Sequence, residues 1–218
     1  MSSKEKTNQG RLAYNQVQLE NLARQNIPAQ AAAMGLEMEN GKAAADFLGR
    51  RYYIGTDGIA ARDGGPVTVD TQSVLAHYLS SQGSGELTGD FVTIGRLTGI
   101  NVTGDSPSAA LTKPLVDKIG DRYDIFAQTA PKLGGRHLGL STVGAQAWEF
   151  GLPKVPMMIE FFEADEEFGA DIRLLFDSSA NRFVSYECLE LMTMCLVVDL
   201  LLAAGLISDP EDCANSFL

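Results

Sequence analysis

The amino-acid sequence predicts an α+β fold: antiparallel strand groups covered by helices, with a long buried apolar helix near the C-terminus. Three observations carry this expectation. Residues 157–162 and 172–176 are apolar runs on either side of the polar turn Asp165-Glu166-Glu167-Phe168-Gly169, the pattern of a hairpin. Residues 47–62 show a second hairpin, with Tyr52, Tyr53 and Ile54 before the turn signal Asp57-Gly58 and Ile59-Ala60-Ala61 after it. Residues 186–204 are an apolar run preceded by Ser185, a good N-cap, with Glu187 in the first turn and Gly205 closing the helix.

In chain order, Leu12, Val17, Leu19 and Leu22 recur at an approximate helical period over residues 11–26. Pro28 disfavours helix at Ile27, so this helix is expected to break there and resume through residues 29–34 until Gly35. After the first hairpin, Asp63-Gly64-Gly65-Pro66 turns the chain into residues 67–69. Asp70 or Thr71 can then cap a helix that carries Val74, Leu75, Tyr78 and Leu79 and stops at Gly83. Residues 83–106 hold six glycines and read as loop, with one short strand at 91–94. Pro107 or Pro114 starts the next helix, which presents Leu115, Val116, Ile119, Tyr123 and Phe126 and ends at Gly134-Gly135. One strand is expected between His137 and Trp148, followed by a short linker bracketed by Pro153 and Pro156. Strand, turn, strand, hydroxyl cap and helix occur at 50–82 and again at 157–204, a faint internal echo without matching residues.

The 218 residues suffice for one large domain. The expected division is an N-terminal helical segment (1–36), a single α+β domain (37–207) and a polar tail (208–218). With 45% apolar and 21% charged residues, the composition excludes disordered, collagen-like and disulfide-scaffold classes. The chain carries 17 basic and 28 acidic residues, a net charge of −11, and residues 110–218 hold 8 of the former and 17 of the latter. So acidic a chain gains nothing from a phosphate backbone, and nucleic acid is excluded as a generic partner. Three cysteines, Cys188, Cys195 and Cys213, have no CxxC spacing and require no oxidising compartment. The polar start Met1-Ser2-Ser3-Lys4-Glu5-Lys6 is not a signal peptide. Residues 191–207 are 17 in number, and Asp199 sits near their middle. A central carboxylate costs about 2.5–3.5 kcal/mol in a bilayer. A core helix is the better reading, and the protein is expected to be soluble and cytoplasmic.

Six carboxylates, Glu160, Glu163, Asp165, Glu166, Glu167 and Asp171, fall within 12 residues. Hard cations want such oxygen ligands, but the calcium-loop order D-x-[DN]-x-[DN]-G is not met. A solvated hairpin turn, a metal group and a partner-facing acidic patch remain the readings. On a strand, Asp165 and Glu167 would share a face that Glu166 does not. Cys188 and Cys195 share a helix face roughly 10 Å apart along the axis, too far to ligate one metal unaided. His77 and His137 are the only histidines, each an acid, base or ligand by chemistry and a structural residue by frequency. The stretch Gly83-Ser84-Gly85-Glu86-Leu87-Thr88-Gly89 follows a helix, lacks the terminal lysine of a phosphate loop and contains a repelling glutamate.

Several segments together carry a resemblance. Tyr78-Leu79 is followed by Leu87-Thr88-Gly89-Asp90-Phe91-Val92, then by Leu152-Pro153-Lys154-Val155-Pro156, then by Asp165-Glu166-Glu167-Phe168 and Leu175-Phe176-Asp177. In these, across residues 40–205, the chain resembles a domain-of-unknown-function family common in anaerobic bacteria and archaea. Members of that family stand alone or behind an N-terminal four-cysteine iron–sulfur domain of the type found with corrinoid proteins. The resemblance implies anaerobic metabolism and no defined activity, and any iron–sulfur role would come from a partner. The expectation is therefore a binding or accessory protein without a cofactor or metal of its own. Its candidate contact residues are His77, His137, Asp165, Glu166 and Glu167, its expected partner an iron–sulfur or corrinoid protein, and the apolar helix favours a homodimer. The competing class is an enzyme pairing one histidine with the acidic-turn carboxylates.

Overall fold

In the computed structural model, which describes residues 3–97, 107–210 and 213, two antiparallel sheets are built on the strand groups read from the sequence. Helix α1 (Ser3–Leu22) ends earlier than its apolar period suggests, and α2 (Ile27–Ala33) follows a short turn. Ile27 therefore lies inside a helix and is not the break point. The Asn26 carboxamide caps α2 by accepting the Ala29 N–H at 3.2 Å, and Pro28 occupies the first turn, where a missing N–H costs nothing.

The first sheet is a four-stranded meander of β1 (Glu37–Glu39), β2 (Lys42–Phe47), β3 (Arg50–Gly55) and β4 (Gly58–Ala61). The expected hairpin is β3–β4, and β1 and β2 are additions to it. Asn40-Gly41 and Leu48-Gly49 turn the chain with φ of 50°, 78°, 48° and 75°. Both pairs are left-handed at two successive residues, as a type I′ hairpin turn requires. Helix α3 (Val69–Leu79) is capped by Thr68, whose Oγ1 accepts the Thr71 N–H at 3.2 Å, so Asp70 and Thr71 lie inside the helix. It stops at Leu79, four residues before Gly83.

The glycine-rich stretch is irregular over residues 83–90 and then forms β5 (Phe91–Val92) and α4 (Ile94–Leu97), so the strand expected at 91–94 ends at Val92; residues 98–106 lie outside the described residues. Pro107 opens α5 (Pro107–Ile119), and Pro114 sits within it. The expected single helix is divided. Gly120, at φ +58°, ends α5, and α6 (Tyr123–Thr129) with a 3₁₀ turn (Ala130–Leu133) carries Tyr123 and Phe126 separately. Where one strand was expected there are two, β6 (Arg136–Leu140) and β7 (Gln146–Leu152). The Pro153–Pro156 segment is not a linker. Leu152 pairs with Val155 across a tight hairpin, and Pro156 belongs to β8 (Val155–Phe162). With β9 (Asp171–Asp177) the second sheet has the order β5-β9-β8-β7-β6.

Helix α7 (Tyr186–Ala203) follows Ser185 as expected, but the Ser185 hydroxyl makes no capping hydrogen bond. It packs against α3, α5 and α6, so elements of the same chain supply its enclosure. Among the described residues no helix is long and apolar enough to cross a membrane. Cys188, Cys195 and Cys213 are all buried in one continuous core, with no disulfide between them, so the tail is not wholly peripheral.

Asp199 is half-buried on α7, and burial raises its carboxyl to about 6 against the opposing influence of Arg50. Because the folded value lies above the unfolded 3.8, the cost of this group is absent at low pH and grows as pH rises through 6. Asp199→Asn is expected to raise the melting temperature at pH 7.5 and to leave it nearly unchanged at pH 4. Thermal unfolding followed by circular dichroism at both values checks this.

Candidate functional site

Three expected motifs meet through buried polar contacts. The Tyr78 hydroxyl, on α3, donates to the Met34 carbonyl at 2.6 Å and accepts the Lys154 N–H at 2.9 Å. Asp177, at the end of β9, is 1% exposed. It accepts the N–H groups of Thr88, Gly89 and Ser179 at 3.2, 2.7 and 2.9 Å, together with the hydroxyls of Thr88 and Ser179. Burial alone would raise this carboxyl, but the Ser179, Thr88 and Gly89 donors outweigh it and hold it at about 2. The Lys154 ammonium reaches the Gly85 carbonyl at 3.3 Å. Residues 85–89 are thus pinned as a structural strap.

These contacts frame a cleft of about 1030 Å³ between the two sheets. Its floor is apolar, with Leu36, Leu48, Leu133, Leu152 and Phe150. A Cβ at Gly49 would stand 2.1 Å from the Lys132 carbonyl oxygen, so only glycine lets the β2–β3 turn close on the 3₁₀ turn. On the first sheet, Arg51 donates to Asp46 at 2.6 Å and Glu37 at 3.3 Å, and pairs with Glu39 as well. Opposite, Arg136 pairs with Glu149 at 2.6 Å, and Lys132 stands on the rim. Among the lining residues, two carboxylates flank one guanidinium on one wall, whereas two cations accompany one carboxylate on the other. None of these residues announces itself in the sequence, because the charges that pair are brought together only by strand register.

His77 lines a second, polar cleft of about 650 Å³. Its Nε2 accepts the Ser185 N–H at 3.1 Å, so the proton of the neutral ring lies on Nδ1 and is donated to the Tyr14 hydroxyl at 2.9 Å. Burial depresses its pKa, with Glu187 opposing. His77 is a helix cap that ties α1, α3 and α7 together. His137 is exposed on β6, packs at a tilt of 34° against Trp148 with 4.7 Å between ring centroids, and meets the Gln146 carboxamide at 3.1 Å.

Asp165, Glu166 and Glu167 lie in the exposed β8–β9 loop and not on a strand. The Asp165 carboxylate turns back on its own loop and accepts the Glu167 and Phe168 N–H groups at 2.8 and 2.7 Å, which lowers its pKa. Among the described residues, no hydrogen bond joins either histidine to these three carboxylates, and no group of three or more His, Cys, Asp or Glu is placed to hold a metal ion. The five expected contact residues therefore do not form one cluster: His77 stands apart, while His137 and the acidic loop are linked through Gln146, at 3.1 Å from His137 and 3.2 Å from Glu163.

A family model described as a domain of unknown function (DUF3786) matches residues 26–199. No curated protein and no solved structure matches the chain.

Two outcomes follow from the buried contacts. Tyr78→Phe leaves the Met34 carbonyl and Lys154 N–H without their partner, at a cost of about 1–3 kcal/mol measured by urea unfolding. The His77 contribution is fully present above pH 6.5 and is lost as pH falls through its lower folded value. Asp199 titrates nearby with opposite sign. In an Asp199→Asn background, stability should therefore fall between pH 7 and 5, and adding His77→Gln should flatten that slope.

Proposed function

The chain belongs to the DUF3786 family, a domain of unknown function, and we propose that it is a binding or accessory module that receives a small dipolar ligand in the cleft between its sheets. One observation carries the reading: the two walls of this cleft bear opposite charge excess, with Glu37 and Asp46 around Arg51 facing Lys132 and Arg136 beside Glu149. An ammonium group suits the first wall and a carboxylate the second, while the apolar floor suits a short hydrocarbon part.

The family resemblance supplies the setting, a cytoplasmic protein of anaerobic iron–sulfur or corrinoid metabolism, with the metal centre carried by a partner. The thiols of this chain are buried, and burial pushes Cys195 up to about 12 and Cys188 higher still. Both lie inside the core, shut off from a metal centre carried on a partner's surface. An enzyme would need a histidine beside the acidic loop, and both ring nitrogens of His77 are already engaged elsewhere.

Isothermal titration of the full chain with glycine, lysine and glutamate, compared with their N-acetyl amides, tests the reading. The free amino acids should bind and the blocked forms should not. Lys132→Ala/Arg136→Ala and Glu37→Gln/Asp46→Asn should each weaken binding about tenfold or more. A folded chain that takes up none of them removes this reading.

A further inference from the structure

The three most exposed large apolar side chains among the described residues are Phe168 at 70%, Leu140 at 69% and Val143 at 58%. All three stand at one end of the second sheet. Gln146, the first residue of β7, lies opposite Phe161, and the neighbouring Phe162 lies opposite Asp171, the first residue of β9. The β6–β7 tip and the β8–β9 loop therefore leave the sheet on the same side. Gln146 joins them, meeting His137 at 3.1 Å and donating to Glu163 at 3.2 Å. Leu138, at the bulge of β6, adds a fourth exposed apolar side chain.

Charge surrounds this apolar group. Glu163, Asp165, Glu166, Glu167 and Asp171 are exposed around it, and the nearest cation in sequence, Arg173, is committed to Asp171 and to the Phe162 ring at 4.5 Å. The loop is closed by its own bonds, with the Asp165 N–H donating to the Phe168 carbonyl at 2.9 Å. A turn needed only for solubility has no use for an outward phenyl ring. Grouped apolar residues with a polar border mark an interaction surface.

We propose that this end of the sheet docks a partner protein whose matching surface is basic and studded with apolar side chains. Charge complementarity selects that occupant over a second copy of the chain. A two-fold dimer would set the acidic border against itself, in a protein already at net charge −11. Strand addition to β6 is disfavoured by the bulge between His137 and Gly139 and by Gly139 at φ +87°, so recognition runs through side chains.

The test uses the isotope-labelled full chain and a synthetic peptide of alternating lysine and leucine. Amide shift changes should be confined to residues 137–146 and 163–171. Leu140→Ser/Phe168→Ser leaves every charge in place and should weaken binding about tenfold or more, as should Glu166→Gln/Glu167→Gln, which should also reduce its dependence on salt. All four positions are exposed, and melting curves matching the native chain confirm intact folding. Absence of binding, shift changes centred elsewhere, or binding indifferent to Leu140→Ser/Phe168→Ser would overturn the proposal. So would sedimentation showing a native dimer that this same variant dissociates, since a second copy would then be the occupant.

Discussion

The hydroxyl of Tyr78 is the contact on which the arrangement of the two sheets rests. Its ring is fully buried, and its oxygen serves the end of α2 through Met34 and the β7–β8 turn through Lys154. These partners lie 44 and 76 residues away in the chain. A buried hydroxyl with one donor and one acceptor partner is satisfied, and leaving the two backbone groups unpaired would cost each its solvation. The bond therefore fixes where Gly35 and Pro153 stand. A Cβ at residue 35 would lie 3.2 Å from the Pro153 ring, and those two residues are part of the wall of the inter-sheet cleft. Packing alone would place the sheets near each other, but the direction of the hydroxyl decides their register at the mouth of the cleft.

The other buried polar side chains follow the same logic. Asp177 collects five donors and pins the strap before β5, while His77 accepts the Ser185 N–H just ahead of α7 and so fixes where that helix starts. Both are held in one protonation state by what surrounds them: donors keep Asp177 ionised and burial keeps His77 neutral. Acidic residues of the second half of the chain thus differ in role. Asp177 is structural, and the exposed carboxylates of the β8–β9 loop are available to a partner.

What the sequence reveals depends on whether a side chain works within its own segment. The β8–β9 hairpin and α7 are legible because their apolar residues bury themselves in a single local pattern. Strand β2 is not, since Ala43, Ala44 and Ala45 have little preference for strands, and they are chosen by the close approach of α2. Asn40-Gly41 was the available signal for that hairpin. Edge strand β6 is hidden for the opposite reason, because its apolar residues face outward. At the sites, His77 is conspicuous as a residue, yet its role is set by Tyr14 and Ser185, 63 and 108 positions away. The charged walls of the cleft are similarly a product of register, with Asp46 opposite Arg51 and Arg136 opposite Glu149.

Strand β7 relates the cleft to the docking surface. It begins at Gln146, between the exposed apolar group and the acidic loop, and ends at Leu152 on the cleft floor. Seven residues of extended chain set the two places about 20 Å apart. Strand β6 runs antiparallel to it, from Arg136 at the cleft to Leu140 at the other end. Paired strands carry a lateral shift poorly, because moving one by a residue exchanges its two faces and would turn Trp148 and Phe150 out of the core. A ligand in the cleft and a partner at the far end would therefore be held at a constant separation and bind with nearly additive free energies. Coupling between them would have to pass through the bulge at Leu138, the place where the β6–β7 ladder is already irregular.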